Sequence, residues 1–243
     1  MIGASIPNIK TLGRELYRKI NKRYPAIGNI FRRIQFRKPF NSLTKTISGF
    51  GNVISYKNSI LTSVVFNIQG NRNIVQIEDA ALLEGVTFSI HGDDHKILIG
   101  RNCSFGHGSS LYLEDCKGTI TIGENSTFEK VHIASTEPGS KIAIGSDCML
   151  AKDIDIRTGD SHSIVSVSTG QRLNYAEDVI VGNHVWIAAH CVLLKGVHIS
   201  DDSIVATGSI VTRKFDRKNI VIAGNPAIVV KEGINWTRQR TYQ

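Results

Sequence analysis

Aliphatic residues recur every six positions through the C-terminal third of the chain: Val181, Ile187, Leu193, Ile199, Val205 and Val211. Four residues after each of the first five stands another small or branched residue: Val185, Cys191, Val197, Ser203 and Ser209. Glycine or alanine follows the beat at Gly182, Ala188 and Ala206. A fixed period of six predicts an all-β chain wound as a parallel β-helix, each hexapeptide forming one flat side of a coil. Branched aliphatics fill the prism, small residues sit inside its corners, and Gly, Asn or Asp take the turn dihedrals. Handedness does not follow from this pattern; parallel crossovers in general favour right-handed connections.

Upstream the beat loosens. From about Val53, imperfect repeats occur at Ile77-Glu78, Leu83-Glu84, Ile99-Gly100, Phe105-Gly106, Ile122-Gly123, Ile144-Gly145 and Leu150-Ala151. Their irregular spacing between Phe105 and Ile144 predicts bulges or small loops there. Between Ile156 and Val179 the beat vanishes into RTGDSHSIVSVSTGQRLNYAED and then resumes. Insertions in a solenoid leave the stack as loops and often build its binding face. Further upstream, Ile9, Leu12, Leu16 and Ile20 fall at helical spacing, closed by Pro25. Ile27, Ile30, Phe31 and Ile34 suggest a second short helix ending near Pro39. The expected organisation is a basic helical extension over 1–50, a β-helix over 51–232 with a loop at about 157–178, and a tail over 233–243.

The chain has 243 residues, 41% of them hydrophobic, enough for one packed domain. No run is long and apolar enough to span a bilayer, and the early charges do not suit a signal peptide. Cys103, Cys148 and Cys191 fall at inward positions of the repeat, and Cys116 completes the set without any C-x-x-C pair. They read as reduced core residues of a cytoplasmic protein. The net charge of +8 is concentrated in residues 1–40, where ten Lys and Arg face only Glu15, leaving the remainder at −1. Such a basic amphipathic segment suits an anionic membrane surface at the inner face of the membrane, or an anionic polysaccharide. The plainer alternative is a helical extension with a solvated basic face. No recognition motif for nucleic acid accompanies the charge.

The run DVIVGNHVWIAAHCVLLKGVHISDDSIVATGSIVTRKF, followed by IVIAGNPAIVVKE, closely resembles the C-terminal half of hexapeptide-repeat acetyltransferases. That family includes galactoside and maltose acetyltransferases and bacterial polysaccharide O-acetyltransferases. The motif resemblance covers roughly residues 142–232, with looser repeat similarity back to about residue 53. It implies a left-handed β-helix, an exception to the usual crossover rule, and a homotrimer with acetyl-CoA bound between neighbouring coils.

The resemblance places a catalytic histidine at His162, inside the inserted IRTGDSHSI segment. A sugar hydroxyl is a poor nucleophile until its proton is being removed, and an imidazole titrating near neutrality suits that task. Asp160 is a candidate to orient the ring or position the acceptor. Trp186 faces outward and is a candidate sugar platform, with a subunit interface as the alternative. Asn174, Tyr175 and His132 are further acceptor candidates. For the oxyanion, the family uses a backbone N–H just after the W-I element, which maps to Ala188 or Ala189. The resemblance further assigns coenzyme A contacts to Lys195, to the turn Ala206, Thr207 and Gly208, to Thr212, Arg213 and Lys214, to Asn225, Pro226 and Ala227, and to Lys231. Ile228 stands where the family more often has a basic residue. His184, His190 and His198 do not match the ligand spacing of gamma-class carbonic anhydrases, which share this fold, so no metal is expected.

The resulting expectation is acetyl-CoA-dependent O-acetylation of a capsular, exopolysaccharide or lipopolysaccharide sugar. N-acetylation of a nucleotide-linked amino sugar is the alternative within the class. A non-catalytic scaffold or ice-binding coil would need neither the histidine loop nor the coenzyme A turns, and no outward threonine face is present.

Overall fold

In the computed structural model of the chain, residues 41–56 and 58–242 are described. The basic segment 1–40, with its expected helices and its membrane or polyanion contact, lies outside the described residues. Among the described residues the first parallel strand is Ser42–Ser48, which pairs with Ile60–Gln69, upstream of the boundary expected at residue 51. From there the chain winds a left-handed parallel β-helix of about eight turns.

Three faces make the prism. The first is a sheet of seven short parallel strands running from Val53–Ser55 to His198–Ile199. The second and third share a larger sheet, because strands such as Ile60–Gln69, Thr127–Ser135 and Met149–Arg157 run unbroken across the corner between them. The last coil turns back on itself: Ile220–Gly224 pairs antiparallel with Ala227–Glu232. Val181, Ile187, Leu193, Ile199, Val205 and Val211 all point inward and are buried, which accounts for the six-residue beat. Cys103, Cys148 and Cys191 are buried among them as free thiols, and burial pushes the Cys103 thiol up to about 12 and that of Cys148 up to about 11. In the wider coils, Phe66 stacks on Phe88 with centroids 4.7 Å apart, and Phe105 on Phe128 at 4.2 Å.

The irregular spacing upstream reflects a longer period together with a register shift between Lys130 and Val131. Equivalent residues before the insertion are separated by about 22 positions, as in Ser59–Ala81, Asn73–His95 and Ser109–Val131. After the insertion the separation is 18, as in Asn183–Asp201. The longer turns widen the third face and add an inward column, Ile68, Ile90, Leu113 and Ser135, all buried. Beside it runs a buried polar column. The N–H of His95 donates to Asn73 Oδ1 at 2.9 Å, and the N–H of Gly118 donates to His95 Nδ1 at 3.0 Å. Burial lowers the pKa of the His95 imidazole, because a charged ring would be desolvated there.

The added column ends beneath the insertion. Thr158, fully buried, donates its hydroxyl to Thr136 O at 3.0 Å and lies 3.3 Å from Ser140 Oγ, which meets Ser135 Oγ at 2.8 Å. The loop between the strands Met149–Arg157 and Val179–Val181 therefore starts where the wide prism gives way to the narrow one. Its placement follows from that step.

Candidate active site

Asn174 organises the loop. Its side chain is buried, and its Nδ2 donates both to the His162 carbonyl at 2.7 Å and to Asp160 Oδ2 at 2.8 Å. Its Oδ1 accepts from the Ile164 N–H at 2.6 Å and from Arg172 Nε at 3.3 Å. These four bonds use the full ordinary capacity of a primary amide. Asn174, expected at the acceptor, uses its amide to hold the loop in this structure.

Asp160 is braced from a second side. Lys195 Nζ lies 2.5 Å from the same Oδ2, and this ammonium, with the Asn174 amide, holds the Asp160 carboxyl below the usual carboxylate range against the opposing effect of burial. Asp160 thus joins the loop to the coil above it, and its hydrogen bonds go to Asn174 and Lys195 rather than to the His162 ring. Lys195, expected at coenzyme A, is drawn to that carboxylate. The His162 N–H donates to Asp160 O at 2.8 Å, while its exposed imidazole has no hydrogen-bond partner among the described residues.

Sequence reasoning missed the outer brace, which no motif signals. Arg172 pairs with Glu137 from the preceding coil and donates to Asn174 O at 3.0 Å. That guanidinium holds the Glu137 carboxyl below its ordinary value. Arg172 also sits 5.0 Å over the Tyr175 ring, which is exposed beside a groove of about 940 Å³. Ser140, Ile180, Gly196, His198 and Lys214 line the same groove.

The remaining candidates fall elsewhere. His132, on the outer third face, meets Ser110 Oγ through Nδ1 at 2.7 Å and lies in register with Asp155, which pairs with Arg157. Ala188 and Ala189 turn the corner between the second and third faces. The Ala188 N–H donates to Val205 O at 2.9 Å within the coil ladder. The Ala189 N–H has no acceptor among the described residues. At the same corner one coil further on, Thr207 and Gly208 are exposed, and a Cβ on Gly208 would meet nothing within 4 Å. Thr212, Arg213 and Lys214 are exposed at the loop's own corner. Asn225 and Pro226 are exposed in the final hairpin, with Ala227 buried beneath and Lys231 exposed. Within one chain, His162 and the Ala189–Gly208 corner are thus separated by the width of the third face.

The coil histidines each meet a different carboxylate: His184 with Asp147, His190 with Asp153 and His198 with Asp216. No group of three metal-ligating side chains occurs among the described residues.

A left-handed parallel coil of this kind is the fold of the hexapeptide-repeat acetyltransferases. The chain belongs to the hexapeptide-repeat O-acetyltransferases, which are acyltransferase enzymes. It is 33% identical over 197 residues to the polysialic acid O-acetyltransferase of Neisseria meningitidis, covering 72% of this chain and 90% of that one. It is 31% identical over 164 residues to the polysialic acid O-acetyltransferase of Escherichia coli, covering 68% of this chain but 45% of the length of that relative. The crystal structure of the polysialic acid O-acetyltransferase OatWY superposes with a TM-score of 0.76 at 30% identity, covering 83% of this chain and 93% of that one. The polysialic-acid-specific acetyltransferase NeuO gives a TM-score of 0.66 at 27% identity, covering 85% and 93%. No protein-family model matches the chain.

Proposed function

We propose that this enzyme transfers the acetyl group of acetyl-CoA directly to a hydroxyl of a saccharide, with His162 as general base. The observation that carries this reading is the loop itself. Asn174, Asp160, Lys195 and Arg172 fix its backbone at several points, yet the imidazole they frame has no hydrogen-bond partner among the described residues. A base must be positioned but unoccupied if it is to reach a substrate proton. The saccharide acceptor is supported by the polysialic acid O-acetyltransferases to which the chain is similar.

In this mechanism the free nitrogen of His162 takes the hydroxyl proton as the oxygen attacks the thioester carbonyl. The Ala189 N–H, without an acceptor among the described residues, serves as backbone donor for the oxyanion. The tetrahedral intermediate collapses, the C–S bond breaks, and the proton passes from the imidazolium to the departing thiolate. The open turn at Thr207 and Gly208, and Arg213, Lys214 and Lys231 without ion pairs among the described residues, fit an extended anionic co-substrate. Because His162 and Ala189 stand at different corners, a second copy is needed to bring both to one substrate. The homotrimer with sites between subunits meets that need. Trp186, half-buried on the second face, then serves as the aromatic surface against the acceptor.

The test is acetyl-CoA turnover by the full chain with a panel of polysaccharides and nucleotide sugars, reading free thiol and product mass. Alkali-labile acetyl groups on a saccharide are expected. Alkali-stable product, formed only with amino sugars, would replace O-transfer by N-transfer.

A further inference from the structure

One corner column of the coil runs Asn102, Asn125, Asp147, His184, Asp202 and Asn219, each with a left-handed φ between 53° and 63°. Short polar side chains suit this backbone because they hydrogen-bond locally. His184 alone among these six carries a ring, and that ring is engaged on three sides. Nδ1 lies 2.9 Å from Asp147 Oδ2, and Nε2 lies 3.0 Å from the backbone carbonyl of Trp236. The imidazole stacks on the Trp236 indole with centroids 4.2 Å apart and planes 8° from parallel. Trp236 Nε1 donates in return to the His184 carbonyl at 2.7 Å.

Arg238 completes the attachment. It donates to Asp147 Oδ1 at 3.2 Å, Thr127 Oγ1 at 2.7 Å and Cys148 O at 2.8 Å. Its guanidinium lies 5.7 Å from the centre of the Trp236 ring. Trp236 is buried by this packing, and it meets Trp186 at 6.1 Å with the rings tilted by 47°.

The donor count carries a chemical consequence. A carboxylate and a carbonyl oxygen only accept, so both ring nitrogens of His184 must carry protons for both bonds to exist together. That is the imidazolium. A neutral ring has one N–H, and its bare nitrogen would face an oxygen. The charges that meet at the ring are Asp147 from the preceding coil and Arg238 from the tail, which shares that carboxylate, with Asp202 the next residue of the column.

We propose that His184 and Trp236 form a proton-dependent latch that holds the C-terminal tail on the coil and fixes the face Trp186 presents to the acceptor. The acceptor half rests on the role given to Trp186 above. Both are positioning residues, acting through Trp186 and not on the reacting atoms.

The chain contains two tryptophans, and both belong to this pair, so fluorescence reports the latch without substrate. An imidazolium stacked on an indole quenches its emission. Emission of the full-length protein is therefore expected to rise along a pH titration as the ring gives up one of its two N–H protons. The acceptor KM should rise severalfold over the same transition, with the KM for acetyl-CoA unchanged. His184→Asn keeps a residue type common in the column; it should abolish the emission transition and hold the acceptor KM at its high-pH level. Trp236→Phe keeps an aromatic stack and the backbone carbonyl, and should retain the pH dependence of KM with a smaller offset. Flat emission in the wild type, an unchanged transition in His184→Asn, or wild-type acceptor KM in both variants would overturn the latch. Loss of the transition in His184→Asn, in a protein that acetylates no saccharide, would sustain the latch and reject the acceptor reading.

Discussion

Asn174 donates its side-chain amide to the backbone carbonyl of His162 across a loop of the same chain, at 2.7 Å. A buried side chain thereby sets the path of an exposed one. The Asn174→Ala variant should lose about 10²-fold in kcat, the scale of a displacement of about 1 Å at a reacting group. Its stability should fall by about 1–3 kcal/mol, because Ile164 N–H and the other partners lose a buried acceptor or donor. Steady-state kinetics and urea titration on the same preparation check both.

Replacing His162 by alanine removes the exposed imidazole and nothing that packs. Its kcat is expected to fall about 10²–10⁴-fold, with thermal unfolding unchanged. Near-normal turnover by the folded variant would remove His162 from the mechanism.

Asp160 and Glu137 are both held below the ordinary carboxyl range, by Lys195 and Arg172 respectively. Their depressed values mean that the ionised partners support the folded loop at neutral pH. That support begins to fade as pH falls below about 4, and is lost once pH passes through the depressed folded values. Hydrogen exchange of the loop amides should therefore rise, relative to the coil, only under acid conditions. In Lys195→Met the rise should begin at higher pH; an identical profile would show that this pair does not hold the loop.

Phe88 stacks on Phe66 in the interior of the wide coils. Phe88→Ala should destabilise the protein by about 3–5 kcal/mol through lost burial and a residual cavity. Equilibrium denaturation measures this directly.

Thiol labelling in the native state should reach Cys116 first, since it alone of the four is half-buried. Cys103 and Cys148, whose thiols burial pushes up to about 12 and about 11, should react only on unfolding. Fast labelling of either would show that the coil opens locally.

The hexapeptide beat was legible because each beat residue is an inward aliphatic, and burial of one side chain per flat face repeats with the backbone. The wider period was hidden. Its added column mixes Ile68, Ile90 and Leu113 with Ser135, and its polar neighbours Asn73 and His95 look like surface residues until their ladder bonds are seen. The loop was legible as a break in rhythm, and His162 within it through a family resemblance. The sequence alone did not separate Asn174 the loop anchor from Tyr175 the exposed neighbour, because adjacent residues in an irregular segment carry no periodicity to tell inward from outward.

The sequence by itself determined the coil, its interruption and the acyl-transfer class, because local repetition and short motifs are written in consecutive residues. Tertiary structure alone decided that Asp160 answers to Lys195, that the Ala188 N–H but not that of Ala189 finds an acceptor among the described residues, and that Trp236 folds back onto His184. Each of these depends on which groups from distant coils share one acceptor or one ring face. Partners 35 or 52 residues apart leave no pattern along the chain.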